Sequence, residues 1–259
     1  MLQGIDHIVI VVNNLEQAAK DYERLGFTVV PGGKHPVGSH NALISLADGS
    51  YIEIIAFYRA APDHRWWEPL QKGERFVDFC MQTNDLQGDT RKLRAAGVAI
   101  NDPVPWSRTR PDGYELKWLL SLAQGSHRGV APFLIQDITP REERIPQTFD
   151  HKNGATGIDT VTVAVRELTA VQRWYHEIVG CDGTAIANEK LLAEGLSYQI
   201  GPHKLDFLVP TELQSPLSDW LQIFGPSPYA AILHSSSPGP VELDQKLAHG
   251  ANLLFVRYL

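Results

Sequence analysis

Two side chains stand out for chemistry, His7 and Glu53. Glu53 lies between Ile52 and Ile54 in YIEIIAF. A carboxylate in such a run must face away from the apolar side or find a partner, because burying a lone charge is costly. His7 stands in GIDHIVIVV, on the same side of an alternating strand as Val9 and Val11 and opposite Ile8, Ile10 and Val12. A neutral imidazole and a carboxylate are ligand types that suit a divalent ion such as Zn²⁺, Fe²⁺, Mn²⁺ or Ni²⁺. The same pair also serves proton transfer, or forms a structural contact. His35, His40 and Asn41 cluster just before or at the start of a strand and can reach the same space.

Weaker features carry two readings each. Trp66 and Trp67 anchor a connecting segment on the core or line a pocket. Arg108 and Arg110 in PWSRTRPDG read as a solvated loop, or as a grip on a substrate carboxylate or phosphate. His127 and Arg128 sit just before PFLIQ, as a loop pair or at the edge of a cleft. The SSSPGP segment at 235–240 reads as a loop and helix cap, or as a nest for an anion. Cys80 and Cys181 sit in apolar surroundings and read as buried thiols rather than a disulfide scaffold or metal ribbon. There is no Walker A loop, dinucleotide fingerprint, GxSxG or HExxH.

The elements that hold these residues repeat. GIDHIVIVV at 4–12 returns as GIDTVTVAV at 157–165, each followed by a helical stretch that runs into Gly26 or Gly180. A further copy, RFVDFCMQTNDLQGDTRKLRAAG, spans 75–97, with Asn14 and Asp85 as matching N-caps. Strand-like segments follow each helix: 27–30, 41–47 and 51–57; 98–100, 115–123 and 132–138; 184–187, 196–200 and 204–210. A shortened last copy reads as a strand at 229–236, a helix at 241–250 and a strand at 251–259. Each full unit is therefore βαβββ, its helix returning the chain to the same sheet. The class is α+β, with tandem βαβββ units forming curved mixed sheets around a cleft. Residues 1–140 make one half of two units carrying the site, and 150–259 a degenerate half of one unit plus a shortened one. Linkers fall near 61–74, 139–155 and 211–228; the second, charged and Pro-containing, is the best boundary.

The 259 residues suffice for a sizeable core, and 43% hydrophobic with 20% charged residues excludes wholesale disorder. A net charge of −7 with no basic block argues against nucleic-acid binding. The run from Ile8 to Val12 is far short of the ~20 residues needed to cross a bilayer. With no secretory signal visible, the expected place is the cytoplasm, with no membrane partner.

The tandem units resemble the vicinal oxygen chelate superfamily, which includes glyoxalase I, bleomycin resistance proteins and extradiol dioxygenases. More narrowly, Gly32, Gly33, His35, Gly38, Ser39, Asn41, Tyr51 and Glu53 resemble the pattern of glyoxalase-like domain proteins. The likeness is strongest over residues 4–57. It implies a divalent metal on His7 and Glu53, or Glu53 moving a proton, with His35 beside it in the chemistry. Asn41 belongs to the pattern, while His40 sits at a variable place in it; substrate contacts are expected from His40, Asn41, Asp78 and Gln136. The second unit's counterparts are Asp78 and a residue near Gln136 or Asp137, and the third unit's are Thr160 and Asp206. No second-unit His stands at the matching place, which departs from the glyoxalase I and dioxygenase pattern. The resemblance implies lyase, isomerase or dioxygenase chemistry on a small molecule with neighbouring oxygens. The alternatives are a non-catalytic small-molecule binder of the resistance type and a self-associating module, with a homodimer in keeping with the superfamily.

Overall fold

The structure is a computed structural model and describes residues 1–236 and 242–257. The first unit comprises β1 (Leu2–Val11), α1 (Leu15–Arg24), β2 (Val30–Lys34), β3 (Ser39–Ser45) and β4 (Tyr51–Phe57). A short helix α2 (Trp67–Gln71) leads to the second unit: β5 (Arg75–Thr83), α3 (Leu86–Ala95), β6 (Val104–Thr109), β7 (Glu115–Ser121) and β8 (Phe133–Asp137). The one-turn helix α4 (Arg141–Arg144) follows. Then come β9 (Ala155–Ala164), α5 (Thr169–Val179), β10 (Thr184–Asn188), β11 (Ala193–Ile200) and β12 (His203–Pro210). Helix α6 (Pro216–Phe224) precedes β13 (Ser227–Ser235) and β14 (Asn252–Arg257).

Local chemistry starts and stops the crossover helices. Asn14 and Asp85 accept the backbone N–H of Gln17 and Gly88, each at 2.9 Å, which caps α1 and α3. Gly180, with φ 86°, ends α5 in the left-handed conformation. The first and last strands of every unit pair in parallel, across a helix for β1 with β4, β5 with β8 and β9 with β12, and across a connection with no helix among its described residues for β13 with β14. The first strands of adjacent units pair antiparallel, β1 with β5 and β9 with β13.

The tandem βαβββ plan is therefore present, and in the first eight strands the curved sheet closes into a barrel in the order β1-β4-β3-β2-β6-β7-β8-β5. The last six strands form a sheet in the order β10-β11-β12-β9-β13-β14. The main core lies between the sheets and the helices, with Ile8, Ile10, Tyr22, Phe79, Val161 and Tyr175 among its members. Val9, Val11, Cys80 and Phe133 point the other way, into the barrel. No helix among the described residues is long and apolar enough to cross a membrane.

The structure departs from the sequence pattern at several places. The strand expected at 27–30 begins only at Val30 and runs through the two glycines. Gly33, with φ 142°, passes so close to β6 that an added Cβ would stand 2.0 Å from the Thr109 carbonyl oxygen. Lys34 then pairs with Thr109 and closes the barrel. The strand expected at 98–100 is a single bridge, Ile100 with Ala123. Its place is taken by β6, which reads as a loop because its inward side chains face a cavity rather than a core. Helix α6 lies inside the expected linker at 211–228. The helix expected at 241–250 is a turn over 245–250, closed by the Gly250 N–H on the Gln245 carbonyl and docked by the Tyr22 hydroxyl on Ala248. The SSSPGP segment extends outside the described residues.

Candidate active site

The barrel holds a small cavity of about 50 Å³. Trp66, Trp106, Trp118, Phe133, Leu120 and Leu122 form its apolar walls. Its polar lining comes from His7, His35, Asn41, Glu53, Arg65 and Arg108.

His7 and Glu53 meet across this cavity. The β1–β4 register sets Val9 opposite Glu53 and His7 opposite Tyr51, so both side chains face inward. Nε2 of His7 lies 3.5 Å from an oxygen of Glu53. Nδ1 lies 2.7 Å from Asp6, and the ring stacks on Tyr51 at 4.5 Å. The strand register slips between Ile5 and His7, which lets two consecutive residues serve one site.

Asp6 is fully buried. Burial opposes its ionisation, but the guanidiniums of Arg144 and Arg141 outweigh burial and hold the carboxyl well below its usual range. Ionised Asp6 therefore takes the Nδ1–H of His7 and leaves Nε2 facing Glu53. Arg144 is itself only 2% exposed. It binds Asp6 at 2.8 and 3.0 Å, Asp137 at 3.0 Å and the Tyr51 hydroxyl at 2.9 Å. This residue belongs to a segment whose charge and proline content read as a linker; burial of its guanidinium under the barrel is a tertiary fact.

Glu53 accepts a 2.6 Å hydrogen bond from the Asn41 amide. Gly32 makes room for that amide, since a Cβ there would lie 2.1 Å from Asn41 Oδ1. The paired glycines thus serve barrel closure and the site together. His35 also lines the cavity, with Nδ1 2.9 Å from the Ser39 hydroxyl. Burial pushes its pKa down to about 4, so its ring is neutral at pH 7. His64 lines the same cavity and is lowered to about 4, again mainly by burial.

Three expected substrate contacts lie elsewhere. His40 points out of the barrel, edge-on to Tyr58 and beside Lys34 and Leu15; alternation along β3 sends it opposite to Asn41. Gln136 Oε1 accepts the Leu86 N–H at 3.0 Å, at the start of α3 and outside the cavity. Asp78 does not line the cavity; it is buried behind it, accepting from Arg65 at 2.6 Å and Trp66 Nε1 at 2.9 Å. The strand registers identify the counterparts. His7 pairs with Cys80 and Val9 with Asp78, so exchanging the two units exchanges His7 with Asp78 and Val9 with Cys80. Cys80 lies opposite Phe133 as Val9 lies opposite Glu53. Glu53's counterpart is therefore Phe133, not Gln136 or Asp137. In the second half, Thr162 lies opposite Asp206, which keeps a carboxylate at that place.

Donor atoms of Asp6, His7 and Cys80 lie within 4.8 Å of one another, and this is a possible metal site. As folded, Asp6 is ion-paired to two arginines, and burial pushes the Cys80 thiol well up, against the thiolate a metal needs. On the other wall, His7 and Glu53 offer two ligands, Asp78 is held by Arg65, and Phe133 has no donor. This donor set does not fit the three- or four-ligand centre that a tightly held divalent ion requires.

Arg65 and Arg108 complete the polar lining. Arg65 Cζ sits 5.0 Å above the Phe133 ring. Arg108, expected in a solvated loop, is 3% exposed on β6 and donates to the Arg144 carbonyl at 2.7 Å. Arg110 is at the surface, bound to Asp112. Cys181, expected to be buried, is exposed.

The fold recurs in solved structures. A hypothetical protein from Staphylococcus aureus is 16% identical, with TM-score 0.71 and full coverage of both chains. A mutant 4-hydroxymandelate synthase from Streptomyces coelicolor is 14% identical, with TM-score 0.66 over 92% of this chain and 72% of that one. A fusion of a xylose isomerase-like TIM barrel with 4-hydroxyphenylpyruvate dioxygenase is 14% identical, with TM-score 0.51 over 92% of this chain and 37% of that one. No curated protein matches. The sequence pattern of the glyoxalase-like domain matches residues 5–179, over half of the chain, and with the βαβββ barrel it places this protein in the glyoxalase-like domain family of the vicinal oxygen chelate superfamily.

Proposed function

We propose that the barrel cavity is the active site of a small-molecule lyase or isomerase in which Glu53 moves a proton. The observation that carries this reading is the pairing of charges. Asp6 and Asp137 are tied to Arg144, and Asp78 is tied to Arg65. Glu53 faces the cavity with only a neutral amide and an imidazole as partners, and no Lys or Arg within 4.0 Å among the described residues. A carboxylate without a permanent counter-charge keeps its oxygens available to a substrate proton, whereas those of Asp6, Asp78 and Asp137 are committed to guanidiniums.

The substrate class is a small molecule with neighbouring oxygens. Glu53 takes a proton from the carbon beside a carbonyl, and the bonding pair moves onto the carbonyl oxygen. On a 2-hydroxycarbonyl the neighbouring hydroxyl proton passes to that oxygen, the new carbonyl forms there, and return of the carbon proton to the former carbonyl carbon completes an isomerisation. Where the next carbon bears a leaving group, the oxygen's pair re-forms the carbonyl and the group departs with its bonding pair, completing an elimination. His7, aimed by Asp6, exchanges the proton with Glu53 through Nε2. Asn41 fixes the carboxylate, and His35 meets the substrate as a neutral ring.

The test is deuterium incorporation from D₂O into a panel of 2-oxo and 2-hydroxycarbonyl compounds, followed by NMR, with metal content measured in parallel. Wild type exchanges at the carbon beside the carbonyl; Glu53→Gln, folded, loses at least ~100-fold, the lower range of general-base effects. Exchange that persists in Glu53→Gln overturns the reading. About one divalent ion per chain, Zn, Fe, Mn or Ni, lost in both His7→Ala and Glu53→Gln, would replace it with a metal centre and keep dioxygenase chemistry open. Tight ligand binding without any turnover would replace it with a binding protein.

A further inference from the structure

Arg108 is the converse of Glu53. Its guanidinium is buried, yet no carboxylate stands within 4.0 Å of it among the described residues. Its Nη2 donates to a backbone carbonyl, and its Nε, sealed from solvent, has no partner. A buried cation without a counter-ion is destabilising unless something else repays its lost hydration. Arg65 adds to this. Its Nη2 holds Asp78, but Nε and Nη1 are also buried without partners. Both arginines line the same cavity, where they share an aromatic and aliphatic wall with the polar groups of His7, His35, Asn41 and Glu53.

We infer that the substrate carries a carboxylate that docks on the unpartnered N–H groups of Arg108 and Arg65, with its apolar body against Trp66, Trp118 and Phe133. This rests on the active-site reading above and adds the substrate's charge. Planar guanidiniums match a planar carboxylate with paired N–H donors. The charge balance favours a single negative charge. Arg65 is already neutralised by Asp78, and Arg108 and Glu53 carry one charge of each sign, so every added negative charge is felt and a monoanion is favoured over a dianion. A phosphate dianion would leave excess negative charge in an enclosed site.

Calorimetry on the full chain decides this without needing turnover. Benzoate and phenylacetate are compared with benzamide and phenylacetamide at matched ionic strength, with inorganic phosphate as a further probe. The carboxylates bind about 10- to 100-fold tighter than the amides, the range of charge-assisted hydrogen bonds. Arg108→Gln loses a similar factor and Arg108→Lys recovers part of it. The paired variant Arg65→Gln with Asp78→Asn removes the second guanidinium together with its buried counter-charge, and it weakens the carboxylates even where Arg108→Gln fails to fold. Glu53→Gln leaves carboxylate binding intact or tighter, so proton transfer can fail as a reading while this one stands. Equal binding of acids and amides, no binding of either acid at millimolar concentration, or unchanged binding in the folded arginine variants overturns the inference. Tighter binding of phosphate than of benzoate overturns the carboxylate and points to a phosphate ester.

Discussion

Replacing Arg144 with Met tests whether the buried ion network under the barrel stabilises the fold through ionised Asp6. The substitution removes a guanidinium that touches Asp6, Asp137 and the Tyr51 hydroxyl. Breaking a buried pair costs about 3–5 kcal/mol. Asp6 keeps Arg141 and Asp137 is partly solvated, so the low end applies, about 3 kcal/mol. For a chain of this size that lowers Tm by roughly 6–12 °C. The loss depends on pH in a definite direction. In the wild type the folded pKa of Asp6 is depressed, so its stabilisation is present above the unfolded value of about 3.9 and is lost as pH falls through the folded value. In Arg144→Met, burial prevails and the carboxyl rises, so it protonates sooner and the penalty shrinks in acid. Urea unfolding of both proteins at pH 7.5, 5 and 3.5 gives the gap at each pH. A gap under about 1 kcal/mol at pH 7.5 would refute the argument, as would one that stays constant in acid. Asp6→Asn in the same background removes the stranded charge and restores part of the loss.

Two further outcomes follow from the same geometry. His35 and His64 are both lowered to about 4, chiefly by burial, against an unfolded value near 6.5. The unfolded chain gains protons below pH ~6.5 that the folded one refuses, so stability falls between about pH 6.5 and 4; His35→Gln reduces the pH dependence of the urea midpoint across that window, and an unchanged slope would count against a buried neutral ring. Gly33→Ala drives a methyl into the Thr109 carbonyl, whereas Gly49→Ala, also at positive φ, meets nothing within 4 Å. The first therefore lowers Tm by clearly more than the second, and equal shifts in a thermal melt would show that the β2–β6 contact does not hold the barrel closed.

Much of the architecture is written in local pattern. The repeats, their caps at Asn14 and Asp85, and the alternation that sends Ile8 and Ile10 to the helices and Val9 and Val11 inward depend on neighbours one to four residues away. His7 and Glu53 stand out along the chain for the same reason, since polar groups set in apolar strands must have somewhere to point, whereas His35 and Asn41 are singled out only by the resemblance to the glyoxalase-like pattern. What the chain could not show locally is which distant residue meets them. Phe133 takes Glu53's counterpart position through parallel pairing across β5 and β8, while Gln136 turns to cap α3. Arg108 and Arg144 look like ordinary surface charges along the chain. They are buried because barrel closure at Gly33 and the fold-back of α4 bring acceptors and carboxylates from far along the sequence around them. Composition sets the hydrophobic force and local order sets the elements. Long-range pairing alone decides which charges are neutralised and which, like Glu53 and Arg108, are left facing the cavity.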